Sequence, residues 1–147
     1  MKRIPDNWII HQDNWDGDPI SFRARLVPKE IIGSKNYSTG FRITWKFKES
    51  SKGFPESHTY DLMEEFEDLL DETFERDQHS LFVSVVTHKG ERDWVLYTPD
   101  ADQTYERLVK VLKRQKSVYH VEFEACPDSG WSEYAGILKN CNREPED

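Results

Sequence analysis

The sequence is poor in sulfur and has no long apolar run. Its 147 residues hold two cysteines, Cys126 and Cys141, which form no CxxC pair and no framework of bridges. Two isolated thiols fit a reducing compartment, and the cytoplasm is the expectation. The basic start MKRIPDNWII has no apolar stretch behind it, so neither a signal peptide nor a transmembrane segment is expected. Hydrophobic residues make up only 36% of the chain, but 5 Trp, 6 Tyr and 8 Phe offset the shortfall, because each ring buries a large area. A chain so rich in aromatics is not expected to be disordered despite 33% charged residues. The length fits one domain, read as residues 1–140, with 141–147 as a flexible tail.

Signatures of catalysis are also missing. There is no GxSxG, and neither cysteine has a basic neighbour in sequence to hold it as a thiolate. No Gly-rich loop precedes a helix, so no phosphate cradle is expected. The five histidines (His11, His58, His79, His88, His120) show neither HxxxH nor HExxH spacing. The stretch HQDNWDGD invites a calcium-loop reading. Aligning Gly17 with the sixth loop position puts Gln12 at the first and Arg23 at the twelfth, where acids are required, so the match fails. No catalytic, cofactor-binding or metal-binding residue is assigned, and the expectation is a protein that is not an enzyme.

What is present is periodicity. Asp16-Gly17 and Lys89-Gly90 mark two hairpin turns. Ile20, Phe22, Ala24 and Leu26 alternate with Ser21, Arg23 and Arg25; Phe41, Ile43, Trp45 and Phe47 alternate with Arg42, Thr44, Lys46 and Lys48. The stretch TYDLMEEFEDLLDETFER carries Leu62, Met63, Phe66, Leu69, Leu70 and Phe74 at helical spacing, with Ser57 or Thr59 as cap and Asp61 in the first turn. A second helix is expected to start with Thr98 as cap and Pro99 at the first helical position, burying Tyr105, Leu108, Val109 and Leu112 and ending in bases through Lys116. The last strand, from Val118, alternates Tyr119, Val121, Phe123 and Ala125 with His120, Glu122 and Glu124. Pro127 ends it, and Trp131, Tyr134 and Ile137 or Leu138 recur as a short helix over the sheet edge.

The resulting order is an N-terminal β-hairpin, a β-α-β-β-α-β core and a short C-terminal helix. The fold class is α+β, a ferredoxin-like two-layer sandwich. A mixed sheet is expected, with two helices on one face and the other face wet.

The net charge of -8 has one address. Residues 61–77 hold nine acids and one base, Arg76, so this segment carries the whole net charge. Asp61, Glu64, Glu65, Asp68, Asp71, Glu72 and Glu75 lie away from the apolar stripe and form a candidate docking face for a basic protein. A solvated face is the plainer reading of such a run. Nucleic acid is disfavoured as a partner because the chain has no general basic surface. The weaker RNA alternative uses Arg23, Arg25, Arg42, Lys46 and Lys48 on an open sheet face, shared with Glu122 and Glu124. A third reading is a small-molecule pocket built from His88, Trp94, Trp131 and Tyr134, with Glu91, Arg92 and Asp93 near His88 in sequence. For Trp131 and Tyr134 a packing clamp is preferred.

The chain resembles the domain-of-unknown-function family 695 (DUF695) through DNWIIHQDNWDGDPISFRARL, VVTHKGERDWVLYTPD and VYHVEFEACPDSGWSEYAGIL. That resemblance implies a ferredoxin-like domain of small bacterial proteins and supplies no activity. RDWVLYTPD and the helix after it are more distantly similar to the ribonuclease E activity regulator B group, acidic proteins that act by binding an enzyme. The combined expectation is a regulator or inhibitor that binds protein.

Overall fold

The structure, a computed structural model, describes residues 4–50, 53–114 and 119–144. Lys116, Val118 and the tail end 145–147 lie outside the described residues. Six strands form one sheet: β1 (Trp8–Trp15), β2 (Asp18–Arg25), β3 (Thr39–Lys46), β4 (Leu81–His88), β5 (Glu91–Thr98) and β6 (Glu122–Pro127). Among the described residues the helices are α1 (Ser57–Phe74), α2 (Ala101–Arg114) and α3 (Ser132–Asn140), with a 3-10 turn at Lys35–Tyr37.

The strand order is β1-β2-β4-β5-β3-β6. Strands β4, β5, β3 and β6 with α1 and α2 are the expected ferredoxin-like core, and the β1–β2 hairpin extends it beyond β4. Every pairing is antiparallel, so the sheet is not mixed. Both hairpin turns place two residues in the left-handed region: Asp16 and Gly17 at φ 53° and 85°, Lys89 and Gly90 at 47° and 76°. That geometry suits a two-residue turn between twisted strands.

Two separate cores lie on opposite sides of the sheet. Met63, Phe66, Leu70 and Phe74 of α1 pack on Phe41, Ile43, Trp45, Trp94 and Leu96. On the other face Trp131, Tyr134, Ile137 and Leu138 pack on Ile20, Phe22, Ala24, Val83, Val95 and Tyr97. The second face is therefore not wet over β2, β4 and β5, because α3 covers it.

This changes where the basic residues point. Arg23 and Arg25 do face away from Ile20, Phe22 and Ala24, but toward α1 rather than water. Arg42 lies on the opposite face, paired with Glu133 of α3. The continuous basic face of the RNA reading does not form.

The helix starts also differ from expectation. Glu56 holds the cap position of α1 without a side-chain cap, and Asp61 falls beyond the first turn. At α2 the Gln103 amide donates to Asp100 Oδ1 at 3.1 Å, so Asp100 caps the helix rather than Thr98. Tyr105 is 52% exposed, and Thr104 takes its buried place, with its hydroxyl among Ser80, Thr98 and Asp100. In β6, Ala125 is exposed, since this strand is a sheet edge. Pro127 is its last residue, a position an edge tolerates.

Candidate functional site

Helix α1 has two kinds of acid. Glu67 and Glu75 turn inward and meet arginines of β2. Arg23 Nη2 donates to Glu67 Oε1 at 2.5 Å, and the Trp94 indole donates to the same oxygen at 2.9 Å. Arg25, 1% exposed, donates to Glu75 Oε1 at 2.6 Å and Oε2 at 3.3 Å, and to the carbonyls of Ile4, Pro5 and Phe82. Glu75 thus belongs to the scaffold, while the rest of the expected face is exposed: Asp61, Glu64, Glu65, Asp68, Asp71 and Glu72. Among the described residues, Asp61, Glu64, Asp68 and Glu72 have no cationic group within 4 Å. Glu65 accepts only a long 3.4 Å bond from the Tyr119 hydroxyl. Although Asp71 is exposed as a residue, packing around its carboxyl, then Glu75 and Asp6, push it up to about 6. Asp71 and Glu72 also border a groove shared with Arg107, Lys110 and Arg114 of α2. The most purely acidic surface is therefore the stretch carrying Asp61, Glu64, Glu65 and Asp68, with Glu72 at its margin.

The residues of the expected aromatic pocket do not meet. Trp94 faces α1. Trp131 and Tyr134 are fully buried on the other side, where they form a clamp. The Trp131 ring stacks on Tyr97 at 4.1 Å and 7°, and its indole donates to the Tyr37 carbonyl at 2.7 Å. The Tyr134 hydroxyl donates to the Arg25 carbonyl at 2.6 Å and accepts from the Val27 amide at 3.0 Å. Trp131 reaches its place with φ 56°, a left-handed residue opening α3. Asp128 secures this entry by accepting from the Ser132 amide and hydroxyl, the Glu133 amide and the Tyr97 hydroxyl. Burial would raise the Asp128 carboxyl, but these donors hold it below the ordinary value.

His88 sits instead in a cleft of about 240 Å3 beside α3, with Trp15, Phe22, Glu91, Asp93 and Glu133 among its walls. The Trp15 ring is edge-on to His88 at 5.5 Å. Asp93 accepts from Thr44 Oγ1 at 2.7 Å. Burial, followed by a hydrogen bond to Glu91 and that residue's charge, pushes Asp93 up to about 6 against the pull of Thr44 and Arg42. A carboxyl pair beside an imidazole can hold and pass a proton. The one hydroxyl bonded to the pair, Thr44, directs its proton at Asp93. Cys126 lies exposed on β6 and Cys141 just past α3, and neither lines this cleft. Among the described residues no three metal-ligating side chains converge, and no helix is long and apolar enough to cross a membrane.

The model of a family of unknown function matches residues 6–138. The chain belongs to DUF695. The DUF695 match runs from just before β1 into α3, so it spans both cores and both candidate surfaces. No curated protein and no solved structure matches the chain.

One feature escaped the sequence pattern. Arg92, on the same β5 face as Trp94, lies buried beneath α1 close to Arg23 and Glu67. Its signal was the alternation itself: if Trp94 points inward, so does the residue two before it.

Proposed function

We propose that this chain is a binding protein that docks a basic protein partner through the outer face of α1, acting as a regulator or inhibitor and not as an enzyme. One contrast carries the reading. The inward acids Glu67 and Glu75 each have an arginine, whereas Asp61, Glu64, Asp68 and Glu72 have no cationic group within 4 Å among the described residues. Among the described residues none of these four carboxylates makes an ion pair within 4 Å, and like charges three and four apart cost a helix a few tenths of a kcal/mol per pair. Opposed charge on a partner would offset that repulsion, speed encounter and make binding fall with salt. The distant resemblance of RDWVLYTPD and the helix after it to acidic regulators of ribonuclease E supports the same reading, with an enzyme whose basic cleft otherwise holds phosphates as the partner.

Affinity capture at low salt tests this, using the wild-type chain and a variant with Glu64, Glu65, Asp68 and Glu72 changed to Lys. The expected result is a set of partners lost both on charge reversal and on raising the salt. Recovery of the same partners by the reversed-charge variant overturns the proposal.

A further inference from the structure

A second cleft, of about 290 Å3, opens between the first half of α1 and strands β1, β2, β4 and β5. Its walls are mixed: Ile10, Phe54, Pro55 and Tyr60 form an apolar side, with Ile10 69% and Tyr60 43% exposed, and Gln12 and Ser21 add polar groups. Its base is charged. Arg92 lines it while being only 8% exposed.

The bonding of Arg92 is incomplete. Its Nε donates to Thr87 Oγ1 at 2.8 Å, and the Tyr60 ring lies over the guanidinium at 5.3 Å. The nearest carboxylate, Glu67, is 3.8 Å from Nη1, beyond hydrogen-bond reach. The Glu67 oxygen involved already accepts from Arg23 and Trp94. Among the described residues the two Nη groups have no acceptor, and they face the cleft. A guanidinium has five donors in a planar fork, and Arg92 spends one of them on the protein.

The charge count sharpens the ligand. Two guanidinia, Arg23 and Arg92, and two carboxylates, Glu67 at the base and Glu64 nearer solvent, line the cleft, so its charges balance as a whole and its positive end is the Arg92 guanidinium. Glu64 stands at the exposed rim. A single carboxylate can take the free donors of Arg92, whereas a second negative charge on the same ligand meets Glu64 and Glu67 with no further cation in the lining to offset it. The planar fork matches a carboxylate bidentately. The volume sits at the lower limit for ligand sites, about 300 Å3, so the occupant is small.

We infer that this cleft is a binding site for a small organic monocarboxylate, its carboxylate on the Arg92 fork and its apolar part against Ile10, Phe54 and Pro55. This goes beyond partner docking and stands independently of it, since it uses none of the unpaired acids of α1's outer face except Glu64 at the rim.

Phenylacetate is a suitable probe, followed by NMR of the backbone amides and the arginine Nε–Hε groups of the full chain. The expected result is saturating shifts at Arg92 and Tyr60 in the millimolar range. Phenylacetamide, which lacks the charge, and phenyl phosphate, a dianion, should each bind about tenfold more weakly or worse. Arg92→Lys keeps the charge but loses the fork, and should weaken phenylacetate about tenfold with the amide spectrum otherwise intact. The wild-type comparison of the three probes decides the matter even if that variant folds poorly. Shifts of equal size with phenylacetamide overturn the inference, as does the lack of any saturating shift at Arg92 up to the solubility of phenylacetate.

Discussion

Asp93 offers a stability test whose sign is unusual for an acid. Its carboxyl titrates near 3.8 in an unstructured chain and at about 6 here, because it is partly buried and bonded to Glu91. Between those values the folded state binds more protons than the unfolded one, so stability falls as pH rises from about 4 through about 6. At about 1.4 kcal/mol per pH unit, the difference of about 2 units sets a ceiling of about 3 kcal/mol on the burden at neutral pH. Asp93→Asn removes the charge and keeps the shape, and its amide oxygen can still accept from Thr44. The ionised form loses its attraction to Arg42 in the exchange, so the expected gain is about 1 to 2 kcal/mol at pH 7.5, shrinking toward zero at pH 4. Urea unfolding at the two pH values measures it. Asp71, also raised to about 6, leaves a residual slope of the same sign in the variant. The reasoning is refuted if Asp93→Asn is less stable than wild type at pH 7.5, or if its gain is equal at both pH values.

Two further substitutions test the scaffold. Arg25→Met should cost about 3 to 5 kcal/mol, because it removes a buried ion pair with Glu75 together with hydrogen bonds to the Ile4, Pro5 and Phe82 carbonyls, and a loss below about 1 kcal/mol in urea unfolding contradicts the pairing. Tyr134→Phe removes one hydroxyl that bridges the Arg25 carbonyl and the Val27 amide, at an expected cost of about 1 to 3 kcal/mol. Thermal melts should show that as a Tm lower by roughly 3 to 9 °C.

The order of the elements was legible because it depends on local spacing. Strands such as GFRITWKFK and the α1 stripe Met63, Phe66, Leu70 and Phe74 announce their periods without help from distant residues. Alternation separates two faces of a strand but does not say which is wet. Arg23 and Arg25 alternate with Ile20, Phe22 and Ala24, and arginine reads as solvent-facing by default. In the fold both faces of β2 are covered, since α3 arrives from more than 100 residues away. The acidic face was legible for the same local reason as the helix. The Arg92 cleft was not, because it is assembled from residues 10, 23, 54, 60, 67 and 92, brought together only by strand order. Likewise His88 finds Trp15 through a hairpin pairing across β2, and not the tryptophans nearer in sequence.

The cover of Ile20, Phe22 and Ala24 has a consequence for how the chain matures. These side chains are made early, while their lid, Trp131 to Leu138, is made after everything else in the sheet. Strand β2 must also wait for β4, about 60 residues later, before its second edge is paired. During synthesis the hairpin therefore carries an apolar face and an open strand edge for most of the time the chain is being made. Such exposure favours association with other chains or capture by chaperones. On the hairpin's other face Arg23 and Arg25 likewise wait for α1 to supply the carboxylates they meet in the finished fold.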